Sequence, residues 1–112
     1  MPSSPFVTVE TDKFSVTFTL GADDNADTVE DVDAVITAPS GARWSASLMT
    51  LRQVQEVMTR WTTTGESLNG HYFQSRDLVI VREGGLDSMV NALADIFEMY
   101  GMETDVLPRL DI

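Results

Sequence analysis

A run of acidic residues in the first quarter of the chain is the first place where closely spaced side chains could bind a ligand. Asp23, Asn25 and Asp27 alternate as the first oxygen ligands of an EF-hand calcium loop do, a spacing that lets a short loop curl around a hard cation. The sixth position of such a loop requires glycine and is Thr28, and the twelfth requires a bidentate glutamate and is Ala34. The pattern therefore predicts no metal site.

The same carboxylates could instead form an electrostatic docking surface, because clustered negative charge attracts a basic protein and raises its association rate. The residues assigned to this partner-binding surface are Asp23, Asp24, Asp27, Glu30, Asp31 and Asp33. The alternative interpretation is a solvated, mobile hairpin loop with no binding role. Both interpretations agree with the spacing of the residues.

A second candidate is a polar site formed by His71, Arg76 and Asp77, which lie close together in the sequence. His71 is the only histidine of the chain, and a functional interpretation would make it a general base oriented by a carboxylate such as Asp77 or Glu66. No serine elbow or Ser-x-x-Lys pair supplies a nucleophile beside it. We therefore expect a polar surface histidine, no catalytic residues and no enzyme.

Composition narrows the function classes further. The chain has 112 residues, no cysteine and a net charge of −11. The lack of cysteine excludes disulfide scaffolds, thiolate catalysis and cysteine-based metal sites. The negative charge would repel nucleic acid and anionic membranes, so neither is an expected partner. The start, Met1–Pro5, has no basic or apolar targeting region, and no apolar run is long enough for a membrane helix. We therefore expect a cytoplasmic protein. No cofactor is expected either.

Periodicity predicts the order β-β-β-β-α-β-β-α, because runs of alternating residues are followed by runs with helical spacing. The predicted strands are Phe6–Glu10, Lys13–Leu20, Val32–Ala38, Ala42–Met49, His71–Gln74 and Leu78–Arg82. Thr50 and Gln53 form a capping box before the first helix, Gly65 ends it, and Asp87 or Ser88 caps the second helix near its start. The chain is thus expected to be a single α+β domain of 112 residues, with flexible ends at about 1–5 and 103–112.

The strand patterns also predict which face of the sheet is covered. We expect a mostly antiparallel sheet with both helices on one face, over Phe14, Val16, Phe18, Trp44 and Leu48. The unbroken apolar run Leu78–Val81 predicts a central strand. The other face would carry threonines and serines together with two valines. A candidate association surface on that face consists of Thr17, Val79 and Val81.

These features predict a small acidic protein-interaction domain, such as an inhibitor, an immunity-type protein or an adaptor. We expect it to bind another protein, of basic charge, through its acidic surface. The alternative is a homo-oligomeric structural or small-ligand-binding module that associates as a homodimer through the Thr/Ser/Val face. The net charge favours the first function, and the small polar residues on one sheet face favour the second.

Overall fold

A computed structural model describes residues 5–102 and 104–110 of the chain, so the expected flexibility of residues 1–4, 103 and 111–112 lies outside the described residues. The elements are β1 (Phe6–Glu10), β2 (Ser15–Thr19), β3 (Asp31–Thr37), β4 (Arg43–Thr50), α1 (Leu51–Thr64), α2 (Glu66–Gly70), β5 (Leu78–Val81) and α3 (Leu86–Tyr100). The strands form one sheet in the order β1-β2-β3-β4-β5. The pairs from β1 to β4 are antiparallel, and β4 and β5 are parallel. The predicted α+β class with a mostly antiparallel sheet is confirmed.

One face of the sheet forms the main core under α3. Val16 and Phe18 of β2 alternate with partly exposed threonines, as the sequence predicts, and both are fully buried. The rings of Trp44 and Phe97 meet edge to face with centroids 5.2 Å apart, which joins β4 to α3. Phe14, Trp44 and Leu48 are also core residues, so the predicted core of this face is confirmed.

The two long helices lie on opposite faces of the sheet, and the prediction of both on one face is wrong. Met49 directly follows the core residue Leu48, so its side chain points to the other face. There it packs with Val54 and Val57 of α1 and with Leu78 of β5. The physical reason is the parallel pairing of β4 and β5, which requires a crossover connection and places α1 over the face that α3 leaves open.

The segment between α1 and β5 also differs from the prediction. Residues 71–74 are not a strand, which leaves five strands in the described sheet, and Leu78–Val81 is an edge strand rather than a central one. Its run of apolar residues is explained by cover from two sides, because Val81 lies in the main core while Leu78 packs against the α1 cluster. Residues 71–74 belong instead to the connection that leads from α1 back to β5, which runs parallel to β4.

The described part of the C-terminal segment, residues 104–110, is hydrogen-bonded to the sheet. Ser45 N donates to Pro108 O and Leu110 N donates to Arg43 O, both at 3.0 Å. These bonds pair the segment with the first residues of β4, which precede the residues of β4 that pair with β5. The segment therefore completes the β4 edge that the short β5 leaves unpaired.

Candidate functional site

The acidic loop between β2 and β3 is tied to the start of α3. Gly85 N donates to Val29 O and Leu86 N donates to Ala26 O, both at 2.8 Å. A Cβ atom built on Gly85 would lie 2.6 Å from Asp27 O, so only glycine allows the loop to approach this closely. The loop carbonyls thus cap α3, in place of the predicted side-chain cap. These bonds hold the backbone of the loop against the start of α3.

Two side chains of the loop stabilise its own backbone. Gly21 N donates to Asp24 Oδ2 and Asp27 N donates to Asn25 Oδ1, each at 2.8 Å. Such side-chain-to-backbone bonds replace the regular partners that a loop lacks. Asp23 and Asp27 project from this framework, and both residues are exposed.

The structure brings three of the predicted acidic residues close enough to repel one another. Partial loss of hydration raises the pKa of Asp31, and the nearby carboxylates of Asp33 and Asp24 raise it further, against the opposing charge of Arg60. Asp33 also accepts a hydrogen bond from Ser47 Oγ at 3.0 Å. The carboxylates at the start of β3 therefore continue the negative surface of the loop onto the sheet.

Glu30 was predicted to belong to the partner-binding surface, but its side chain is paired with neighbouring residues. Its Oε1 accepts from Thr50 Oγ1 at 2.8 Å and from Arg52 Nε at 3.1 Å, and Arg52 Nη2 donates to its Oε2. The hydrogen bonds from Arg52 and then Thr50 hold the pKa of Glu30 below its ordinary value. Glu30 is thus a paired structural residue at the junction of β4 and α1.

The predicted polar site is not assembled among the described residues. Asp77 accepts from Ser75 Oγ at 2.8 Å, while His71 donates its backbone N–H to Ser67 O at 2.9 Å. No hydrogen bond or ion pair joins His71, Arg76 and Asp77 within residues 5–102 and 104–110. This arrangement provides no oriented general base.

The predicted Thr/Ser/Val association face lacks its two valines. Thr17 lies on the face away from the main core, where its hydroxyl oxygen is 2.9 Å from that of Thr8. Val79 pairs with the core residue Leu48, and therefore points to the main core instead. Val81 lies on the same side as Val79 and is buried. The error lies in the phase of β5, because its register with β4 pairs Val79 with Leu48 and so places both residues on the core face.

An apolar groove runs along α1, and sequence reasoning did not find it. The groove has a volume of about 390 Å³. We call it the α1 groove, and it is lined by Leu51, Val54, Gln55, Met58, Thr59, Thr62 and Gly70. Leu51 is 65% exposed at one end, and Ile80 of β5, which shares a neighbouring depression with it, is 51% exposed. No local pattern gives the exposure of Leu51, because that exposure depends on where β5 lies.

A left-handed turn closes the far end of the α1 groove. Ser67, Leu68 and Asn69 have φ values of 51°, 53° and 59°, which residues other than glycine rarely adopt. The turn brings Gly70 against the helix, where an added Cβ would lie 2.1 Å from Met58 O. Only a glycine at this position allows the return segment to pack so closely on α1.

Comparisons of the chain with protein-family models, curated proteins and solved structures find no match. Among the described residues, no helix is long and apolar enough to cross a membrane. The same residues contain no group of three or more His, Cys, Asp or Glu side chains placed to hold a metal ion.

Proposed function

We propose that the protein is a non-catalytic interaction domain that binds a basic partner protein through its acidic surface. The acidic surface is formed by Asp23, Asp24, Asp27, Asp31 and Asp33. The observation that carries this proposal is the pair of backbone hydrogen bonds from Gly85 and Leu86 to the acidic loop. These bonds hold the backbone of the loop that carries the acidic residues before a partner arrives, so less conformational entropy is lost on binding.

The electrostatics of the surface support a cationic partner. The raised pKa of Asp31 means that its charged form is disfavoured beside Asp33 and Asp24. A lysine or arginine from a partner would offset that repulsion and favour the ionised carboxylates. Long-range attraction by the whole chain, with its net charge of −11, would also speed the encounter at low ionic strength.

The test begins with a pull-down by the tagged chain at low salt, repeated at high salt, with proteins identified by mass spectrometry. The affinity of the captured partner is then measured for the triple variant Asp23→Lys, Asp27→Lys, Asp31→Lys. These residues are exposed, and their side chains form no hydrogen bonds within residues 5–102 and 104–110. We expect affinity to fall at least tenfold and its salt dependence to weaken.

A matched control carries the same change in charge on another part of the surface. Glu10→Lys, Asp12→Lys and Asp95→Lys also replace exposed carboxylates, on β1, in the β1–β2 turn and on α3. The control should lose much less affinity than the acidic-surface variant. Equal losses in both variants would reject a defined acidic surface, and unchanged affinity in the first variant would reject the proposal.

A further inference from the structure

The α1 groove is separate from the acidic surface. Arg60 acts electrostatically on Asp31, so that side of α1 faces the acidic end of β3. Leu51 precedes Arg60 by nine residues, which places the two about 180° apart around an ideal helix. Leu51 and the groove accordingly face β5, where Ile80 and Arg82 share a depression with Leu51. A partner on the acidic surface would leave the groove open.

The charge distribution indicates what can occupy the groove. Residues 51–82 contain four arginines and three carboxylates, a net charge of +1, whereas the rest of the chain has three basic and fifteen acidic residues, a net charge of −12. Two copies of so acidic a chain repel each other through most of their surfaces. Two of these arginines serve the acidic side, since Arg52 pairs with Glu30 and Arg60 acts on Asp31. The lining of the α1 groove itself contains no carboxylate, so two copies can meet there without opposing their negative charge.

The two ends of the α1 groove present different features to a partner. Leu51 projects at one end, and Met58, Thr62 and Gly70 line the other end. If two copies are related by a two-fold axis near Gln55, with their α1 helices antiparallel, each Leu51 enters the far end of the other groove. The two Gln55 amides then meet at the axis, where each can both donate and accept a hydrogen bond.

We propose that a second copy of this chain occupies the α1 groove and forms a two-fold dimer with antiparallel α1 helices. In this dimer Leu51 is covered, and the two α1 helices, which carry both arginine and glutamate, lie side by side. It leaves the acidic surface of both copies accessible. High salt should preserve or strengthen this dimer, because salt screens the repulsion between the chains, whereas it should weaken binding of a basic partner.

A cysteine at the proposed axis tests the arrangement directly, because the chain contains no cysteine of its own. Gln55→Cys should form a covalent dimer rapidly under mild oxidation, in an amount that rises with concentration. Asn91→Cys places an exposed cysteine on α3 and is the control, which should cross-link only slowly. Equal rates for the two variants would overturn the proposed axis.

Sedimentation velocity over a concentration series tests the dimer without cross-linking. Leu51→Glu should shift the protein to monomer, with at least a tenfold weaker association. The variant should remain folded, because an acidic residue in the first turn of α1 is favoured by the helix dipole and that turn has none. Circular dichroism and the melting temperature of dilute protein check this.

The control for added charge is Leu110→Glu, which changes a partly exposed leucine outside the groove. It should leave association almost unchanged. If Leu110→Glu dissociates the dimer as strongly as Leu51→Glu, repulsion in general rather than the groove contact is responsible, and the proposal is wrong. A wild-type chain that stays monomeric at all concentrations and salt levels overturns it as well.

Discussion

Thr50 donates its hydroxyl to Glu30 Oε1 at 2.8 Å, and its backbone N–H donates to Glu30 O at 2.9 Å. The same hydroxyl accepts from Gln53 N at 3.1 Å and so caps α1. The capping box expected from the sequence is thus half formed, because the backbone of Glu30 takes the place that the Gln53 side chain would fill. One buried threonine joins the acidic loop, the end of β4 and the start of α1.

Thr50→Ala should therefore cost more than the loss of an ordinary helix cap. It removes the cap, which contributes about 1 kcal/mol, and it leaves Glu30 with one partner fewer, so we expect a loss of about 1–3 kcal/mol in the free energy of unfolding. Urea denaturation measures this loss. Thr63→Ala is the control, since its hydroxyl bonds only to Arg60 O in its own helix, and it should change stability by no more than about 0.5 kcal/mol.

The acid response of the protein should show two carboxylates with opposite effects. The folded-state pKa of Glu30 lies below 4.5, so its stabilising contribution is complete above that value and is lost as the pH falls through the lowered pKa. The folded-state pKa of Asp31 lies above 3.8, so its charge disfavours folding at neutral pH. That penalty disappears as the pH falls from the raised pKa to below 3.8.

Asp31→Asn should consequently raise the melting temperature at pH 7, because it removes a carboxylate whose charge is disfavoured in the fold. The difference from wild type should shrink as the pH falls and vanish below 3.8, where Asp31 is protonated in both folded and unfolded chains. Thermal melts between pH 3 and pH 7 test this. A variant that is less stable at pH 7 would show that Asp31 makes a favourable contact instead.

The phase of β2 predicts a large difference between two neighbouring positions. Phe18 is fully buried in the main core, so Phe18→Ala should lower the free energy of unfolding by about 3–5 kcal/mol. Thr17 points to the opposite face and contacts Thr8, so Thr17→Ala should cost about 1 kcal/mol or less. Chemical denaturation of both variants provides the comparison, and similar costs would contradict the alternation described for this strand.

Local patterns in the sequence were sufficient to predict the first four strands and the start and end of α1. Phe14, Val16 and Phe18 alternate with polar residues, and this period identifies a strand with one buried face without knowledge of its neighbours. Gly65 ends α1 with a φ of 92°, as a glycine following helical residues predicts. Each of these features depends on residues that are close together in the chain.

The direction of β5 could not be obtained in this way. Its pairing with β4 joins Leu48 to Val79, residues separated by the whole of α1 and its return segment. That long-range pairing decides that α1 lies opposite α3, that Val81 is buried and that Ile80 is exposed. The α1 groove depends on the same pairing, which is why the candidate acidic residues were found from the sequence and the groove was not.

The left-handed turn provides the sharpest test of the return from α1. Gly70 and Gly41 both have positive φ, at 78° and 93°, so alanine at either position costs about 1–2 kcal/mol through the backbone alone. An added Cβ meets nothing within 4 Å at Gly41, whereas at Gly70 it would lie 2.1 Å from Met58 O. Gly70→Ala should thus cost clearly more than Gly41→Ala in urea denaturation.

Gly70→Ala should also weaken the proposed dimer, because the left-handed turn closes one end of the α1 groove. Equal costs for the two alanine variants would mean that the turn does not pack against α1 as described.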